Sequence, residues 1–143
     1  MSKIKTACII HYWGEAFSPI GECAVRSFKK FHPNVDVVHI NDKNHHQFKY
    51  LQKTKESVKG AERLVVAKEL MKEQGYEKVI ILGADTITCA RLDEFLDDDT
   101  GFDILATWDY DYPLVTSRII TNAIQIHLNA DVVCFNNVKA IEK

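Results

Sequence analysis

Lys78-Val-Ile-Ile-Leu-Gly-Ala-Asp-Thr86 is the stretch on which the fold of this chain turns. Lys78 to Leu82 is almost wholly apolar and β-branched. That is the pattern of a central parallel strand covered on both faces. Gly83-Ala-Asp-Thr86 then stops the strand with turn-forming residues. In an α/β sheet, ligands bind outside the carboxyl ends of the strands. A carboxylate at that point, Asp85, is placed to hold a hard divalent cation and, through it, a diphosphate. The same four residues also make a good ordinary turn, and pattern alone leaves the two readings level.

Outward from this strand the chain alternates. Ile4 to Trp13 reads as a buried first strand ending at Gly14. Ser18 followed by Pro19 is a helix start, a cap and then proline in the first turn, and the helix runs to about His32, with Ile20, Ala24, Phe28 and Phe31 near one face. Pro33 and Asn34 end it. Val35 to Ile40 is a second strand. Residues 44–58 are polar, with room for a short helix. Gly60 to Gln74 places Leu64, Ala67, Leu70 and Met71 at helical spacing, with Gly75 as its stop. Beyond Asp85, Leu92 to Leu96 is a short helical segment, and Phe102 to Thr107 and Val132 to Phe135 are further strands. Alternating strands and helices imply one α/β domain over residues 1–143 with a mainly parallel sheet.

The 143 residues are enough for one domain with its own core. Charged residues make up 27% and the net charge is −2, with no basic stripe, so nucleic acid is not expected as a partner. No apolar run approaches the ~20 residues of a membrane span. Met1 to Thr6 lacks a cleavage site, so no signal peptide is expected. Cys8, Cys23, Cys89 and Cys134 form no CxxC pair. Cys8 and Cys134 lie in apolar runs and read as small buried residues. Free cysteines without a secretion signal fit a reducing, cytoplasmic setting.

Tyr76-Glu-Lys-Val-Ile-Ile-Leu-Gly-Ala-Asp-Thr-Ile-Thr88 followed by Leu92-Asp-Glu-Phe95 resembles the KVIYLDADTIV…LDELF segment of GT-A glycosyltransferases, nearest to the glycogenin-like and bacterial galactosyltransferase group, family 8. Val25-Arg-Ser-Phe-Lys-Lys30 with His32-Pro-Asn-Val-Asp-Val-Val38 is similar to that family's first helix and second strand. Ala61-Glu-Arg-Leu64 looks like its Y-x-RL helix start, and Leu128-Asn-Ala-Asp-Val-Val-Cys-Phe-Asn136 resembles its FNAGVLLFN strand. The motifs span nearly the whole chain in the family's order. The resemblance implies a GT-A, Rossmann-like three-layer sandwich and transfer of a sugar from a nucleotide-diphosphate sugar, UDP-linked, to the hydroxyl of a glycan or other acceptor. It implies Mn²⁺ or Mg²⁺ as cofactor, with Asp85 as metal ligand. Two departures stand out. Gly83 occupies the place of the first Asp of the family's Asp-x-Asp pair, and Asp131 occupies the place of a glycine. The family's usual C-terminal extension does not follow Lys143, so a truncated domain is expected.

The remaining candidates follow from position. His11, Tyr12 and Trp13 end the first strand, where an aromatic can stack on a base. Asp42 follows the second strand and suits a base or ribose, or an ordinary turn. Arg63 matches the family's basic residue facing the donor, with Lys68 as a fallback. Gly83, Ala84, Asp85, Asn129 and Ala130 are expected to line the nucleotide-sugar site. Asp109, Asp111 and Asp131 are the carboxylates expected to contact sugar or acceptor, one of them as general base if the enzyme inverts. His45 and His46 are adjacent, point apart in any regular structure, and read as a solvated loop. A nucleotide-sugar-binding domain without turnover, and an unrelated α/β interaction module, are the competing functions.

Overall fold

The computed structural model describes residues 4–53, 62–96, 103–108 and 128–142. Five strands form one sheet in the order β2-β1-β3-β5-β4: β1 Thr6–His11, β2 Asp36–Ile40, β3 Lys78–Gly83, β4 Ile104–Trp108 and β5 Leu128–Phe135. β1 pairs parallel with both β2 and β3, and β5 runs antiparallel between β3 and β4. The architecture is therefore α/β with a mixed, mostly parallel open sheet. The helices are α1 Ser18–Phe31, α2 Lys49–Lys53, α3 Glu62–Glu73, α4 Asp93–Leu96 and α5 Lys139–Glu142. None among the described residues is long and apolar enough to cross a membrane.

Strand alternation divides the core. Ala7, Ile9, Val79, Ile81, Val133 and Phe135 join Val66, Ala67 and Leu70 of α3 in one cluster. Cys8, Ile10, Ile80, Leu82 and Cys134 join Ala24 and Phe28 of α1 in the other. Odd positions of β1 and β3 thus face α3, and even positions face α1. All six residues of β3 are buried, as its unbroken apolar run requires. Cys8 and Cys134 are fully buried, and all four cysteines are free thiols.

Three local expectations are corrected. Ser18 is the first helical residue and not the cap; a 3-10 turn at Glu15–Phe17 leads directly into α1, and the cap position is Phe17. The buried face of α1 is Gly21, Ala24 and Phe28, leaving Ile20 47% exposed. In α3 the core position is Val66, and Leu64 is 40% exposed. Gly75 does stop α3: its φ is +71°, and the Tyr76 N–H returns to the Leu70 carbonyl.

Long-range polar ties fix these elements. The Glu69 carboxylate, 4% exposed, accepts the Lys49 and Tyr50 backbone N–H groups at the start of α2, at 3.2 and 2.9 Å. The buried His32 accepts the Leu92 N–H on Nε2 at 3.0 Å. The C-terminal end of α1 is thereby joined to the segment leading into α4.

Candidate functional site

Parallel pairing places the carboxyl ends of β1, β2 and β3 on one rim. From β1 the chain turns to β2 on one side; from β2 it crosses back to β3 on the other. The strand order reverses between β1 and β3, the point where open α/β sheets take their ligands. His11 is the last residue of β1 and stands between Ile40 of β2 and Gly83 of β3. The predicted residues His11, Tyr12, Trp13, Asp42, Gly83, Ala84 and Asp85 all fall on this rim. β4 ends on the same rim at Trp108, and β5 starts there at Leu128.

β1's alternation gives the rim two sides. On the α1 side, Tyr12 is 8% exposed, and its ring lies so close to Gly21 that a Cβ there would be 2.0 Å from Cδ1. Its hydroxyl meets Ser18 Oγ at 3.3 Å. Its ring lies 4.7 Å from His39. Beside it opens a cavity of about 200 Å³ lined by Tyr12, Ser18, Glu22, His39, Asn41 and Asp42 among others. Asp42 is exposed, and its Oδ2 accepts the Gly14 N–H at 2.8 Å. Gly14 has φ +89°, so the loop after β1 is bent at a glycine and held by this carboxylate.

On the α3 side, Trp13 stands between His11 and His45, with ring centroids 5.5 and 5.1 Å away, both edge to face. His45 is held by a 3.1 Å contact between Nδ1 and the Asp42 carbonyl, so it is part of the wall rather than a solvated loop residue. The first turn of α3 brings Glu62, 5% exposed, and the half-buried Arg63 to this face. Burial holds the His11 imidazole below its usual pKa. Glu62 opposes that shift, Arg63 adds to it and Asp42 opposes it. His11 Nε2 and Trp13 Nε1 are buried with no hydrogen-bond partner among the described residues, as is His39 Nε2 on the other side. Buried N–H groups normally have partners, and two such nitrogens side by side at a switch point suit an oxygen-rich ligand.

At the end of β3, Gly83 is buried, Ala84 packs on the α1-side cluster and Asp85 is exposed. The turn is closed by the Thr86 N–H on the Gly83 carbonyl at 3.0 Å. Asn129, Ala130 and Asp131 lie within β5 and not in a loop before it. There the pairing with β4 jumps from Ala106–Val133 to Thr107–Asn129, an irregularity of the kind common beside functional sites. Asp109 and Asp111 lie outside the described residues. Lys68 is turned to Glu142 of α5 at 3.6 Å.

No family model matches the chain, and no curated protein matches it.

The donor set bears on a metal. Mn²⁺ and Mg²⁺ take oxygen ligands and accept water and substrate oxygens in the rest of the shell. The Asp85 carboxylate suits that role. Among the described residues no group of three or more His, Cys, Asp or Glu side chains could hold a metal ion. Sequence reasoning passed over Glu62 and His39, and read His45 as a solvated loop residue. Glu62 directly precedes Arg63 in the helix-start motif, and that adjacency was the available signal.

Proposed function

We propose that this chain is a nucleotide-diphosphate-sugar glycosyltransferase domain of the GT-A three-layer type. The observation that carries the proposal is the convergence of His11, Trp13, Arg63 and the Gly83-Ala84-Asp85 turn at the β1/β3 switch point. Helices on both faces of the sheet and a lone antiparallel strand beside β3 support the same reading. The unpartnered nitrogens of His11 and Trp13 offer donors to ribose or phosphate oxygens, with Arg63 adding positive charge. Asp85 would hold Mn²⁺ or Mg²⁺, which would neutralise charge on the departing nucleotide diphosphate. Tyr12 acts as a packing residue beneath the site, and Asp42 shapes the loop that carries Trp13. The acceptor hydroxyl attacks the anomeric carbon, with Asp109, Asp111 or Asp131 as the carboxylates available to take its proton.

Gly83 favours a second reading, a domain that binds nucleotide sugars without turnover, because it removes one acidic side chain from β3. A thermal-shift series with UDP and UDP-sugars, with and without Mn²⁺, tests both. UDP-sugars are expected to raise Tm, and Asp85→Ala to remove the Mn²⁺-dependent part. If no nucleotide shifts the wild-type chain under either condition, both readings fail. Tm shifts without release of UDP in the presence of acceptors select the second.

A further inference from the structure

His11 Nε2 and Trp13 Nε1 are buried with no hydrogen-bond partner among the described residues, and their rings touch edge to face. Buried polar atoms of this kind cost stability unless a partner meets them. Water cannot be that partner while both atoms are closed off from solvent, and neither can a ligand. The arrangement described is therefore a closed one. The two nitrogens become available only when part of the wall over them moves.

Three rings make this wall, and they are not equally fixed. His11 is the last residue of β1, paired with Ile40 on one side and Gly83 on the other. Trp13 sits between two anchored neighbours. The Tyr12 N–H is bonded to the Ile40 carbonyl at 3.1 Å, and the Gly14 N–H to the Asp42 carboxylate at 2.8 Å. His45 differs. Its backbone is braced, because its N–H meets the Asn41 carbonyl at 3.0 Å and the neighbouring Asn44 side chain bonds the Asn41 N–H and the His39 carbonyl. Its ring has one polar tie among the described residues, Nδ1 to the Asp42 carbonyl at 3.1 Å, and that tie is exposed to solvent. An exposed hydrogen bond exchanges with water at little net cost. The ring's contacts with Trp13 and His46 are edge to face, at 5.1 and 6.0 Å. It can therefore turn outward into another staggered rotamer while the backbone stays in place.

We propose that His45 is a gate over the ligand site: its ring covers the Trp13 and His11 nitrogens in the arrangement described, and swings away to admit the nucleotide. The inference rests on the nucleotide-sugar reading above for the ligand, but not for the movement. A gate lowers apparent affinity by the fraction of molecules in which it stands open. Removing a gating ring therefore tightens binding, whereas removing a ring that touches the ligand weakens it.

Trp13 and Trp108 are the two tryptophans of the chain, so in a Trp108→Phe background the fluorescence reports Trp13 alone. Acrylamide quenching and UDP titration calorimetry are compared in that background with His45 intact and with His45→Ala. The His45→Ala change is expected to raise the quenching constant about twofold or more and to tighten UDP binding about threefold or more. In the wild type, saturating UDP is expected to bring the His45 ring-proton NMR signals to those of a solvent-exposed histidine, so the test does not depend on the variants folding. An unchanged quenching constant overturns the inference, and so do His45 ring signals unmoved by bound UDP. Stronger quenching with weaker UDP binding also overturns it, because His45 is then a ligand contact. If no chain binds UDP, the nucleotide-sugar reading fails, and the quenching comparison alone upholds or overturns the cover over Trp13.

Discussion

His11 and Tyr12 are consecutive residues at the end of one strand, and they do opposite work. Tyr12 points to the α1 side, is buried against Gly21, and meets the Ser18 hydroxyl. His11 points to the α3 side and carries a buried nitrogen with no partner among the described residues. One residue of strand alternation separates a position that completes the fold from one left incomplete by it. Buried polar groups left unsatisfied cost stability and persist where something else requires them. The α3 side of the rim has two such nitrogens, those of His11 and Trp13, against one on the α1 side, that of His39, and is the first side on which to look for a ligand.

The largest effect that would break this contrast is at Gly21. Gly21→Ala forces a Cβ into the Tyr12 ring and is expected to cost about 1–3 kcal/mol, read by urea unfolding. UDP affinity of the folded protein should be largely retained. A stable Gly21→Ala protein would mean that Tyr12 is not fixed in its site.

Acidification acts next. Burial lowers the pKa of His11, His32 and His39 from the ordinary 6.5. The unfolded chain takes up protons on these rings more readily than the folded one. Stability is therefore complete above about pH 6.5 and lost as pH falls below it. His32 should dominate, because its Nε2 must stay unprotonated to accept the Leu92 N–H. Tm is expected to fall between pH 7.5 and 5.5, and His32→Gln to flatten the fall. A Tm independent of pH over that range would contradict the buried neutral rings.

The smallest effect on stability is expected at His11 itself. His11→Leu removes an unsatisfied buried nitrogen, so stability should change by less than about 1 kcal/mol in either direction. UDP affinity should fall. A large loss of stability with unchanged affinity would reverse the assignment of the two sides.

Much of this was legible in the sequence. The unbroken apolar run of Lys78 to Leu82 gave a strand covered on both faces, and the reach of α1 and its stop near His32 were read within a residue or two. Gly75 was read as the helix stop because left-handed backbone favours glycine. His11, Trp13 and Asp85 were placed at the rim from the sequence because strand ends in α/β sheets are ligand positions whatever their neighbours. Other features depend on contacts that no local pattern encodes. Ile20 and Leu64 look like core residues on a helical wheel. The orientation of α1 is instead set by Gly21 meeting Tyr12, from an element nine residues earlier. Ser18 has cap chemistry, yet its hydroxyl meets Tyr12, and the preceding turn supplies the helix start. Periodicity gave no sign that β5 runs antiparallel between β3 and β4.

Glu69 carries a consequence for motion. α2 has five residues, too few to be stable alone, and its first two amides are bonded to the Glu69 carboxylate on α3. The amides of Lys49 and Tyr50 should therefore exchange with solvent at a rate set by the opening of α2 from α3, not by the fraying of a free peptide. That opening also releases Phe48 and Leu51 from the cluster they pack against. They follow closely on His45, which forms the wall beside Trp13. Opening of this short helix is thus expected to loosen the chain next to that wall, and exchange at Lys49 and Tyr50 would report it.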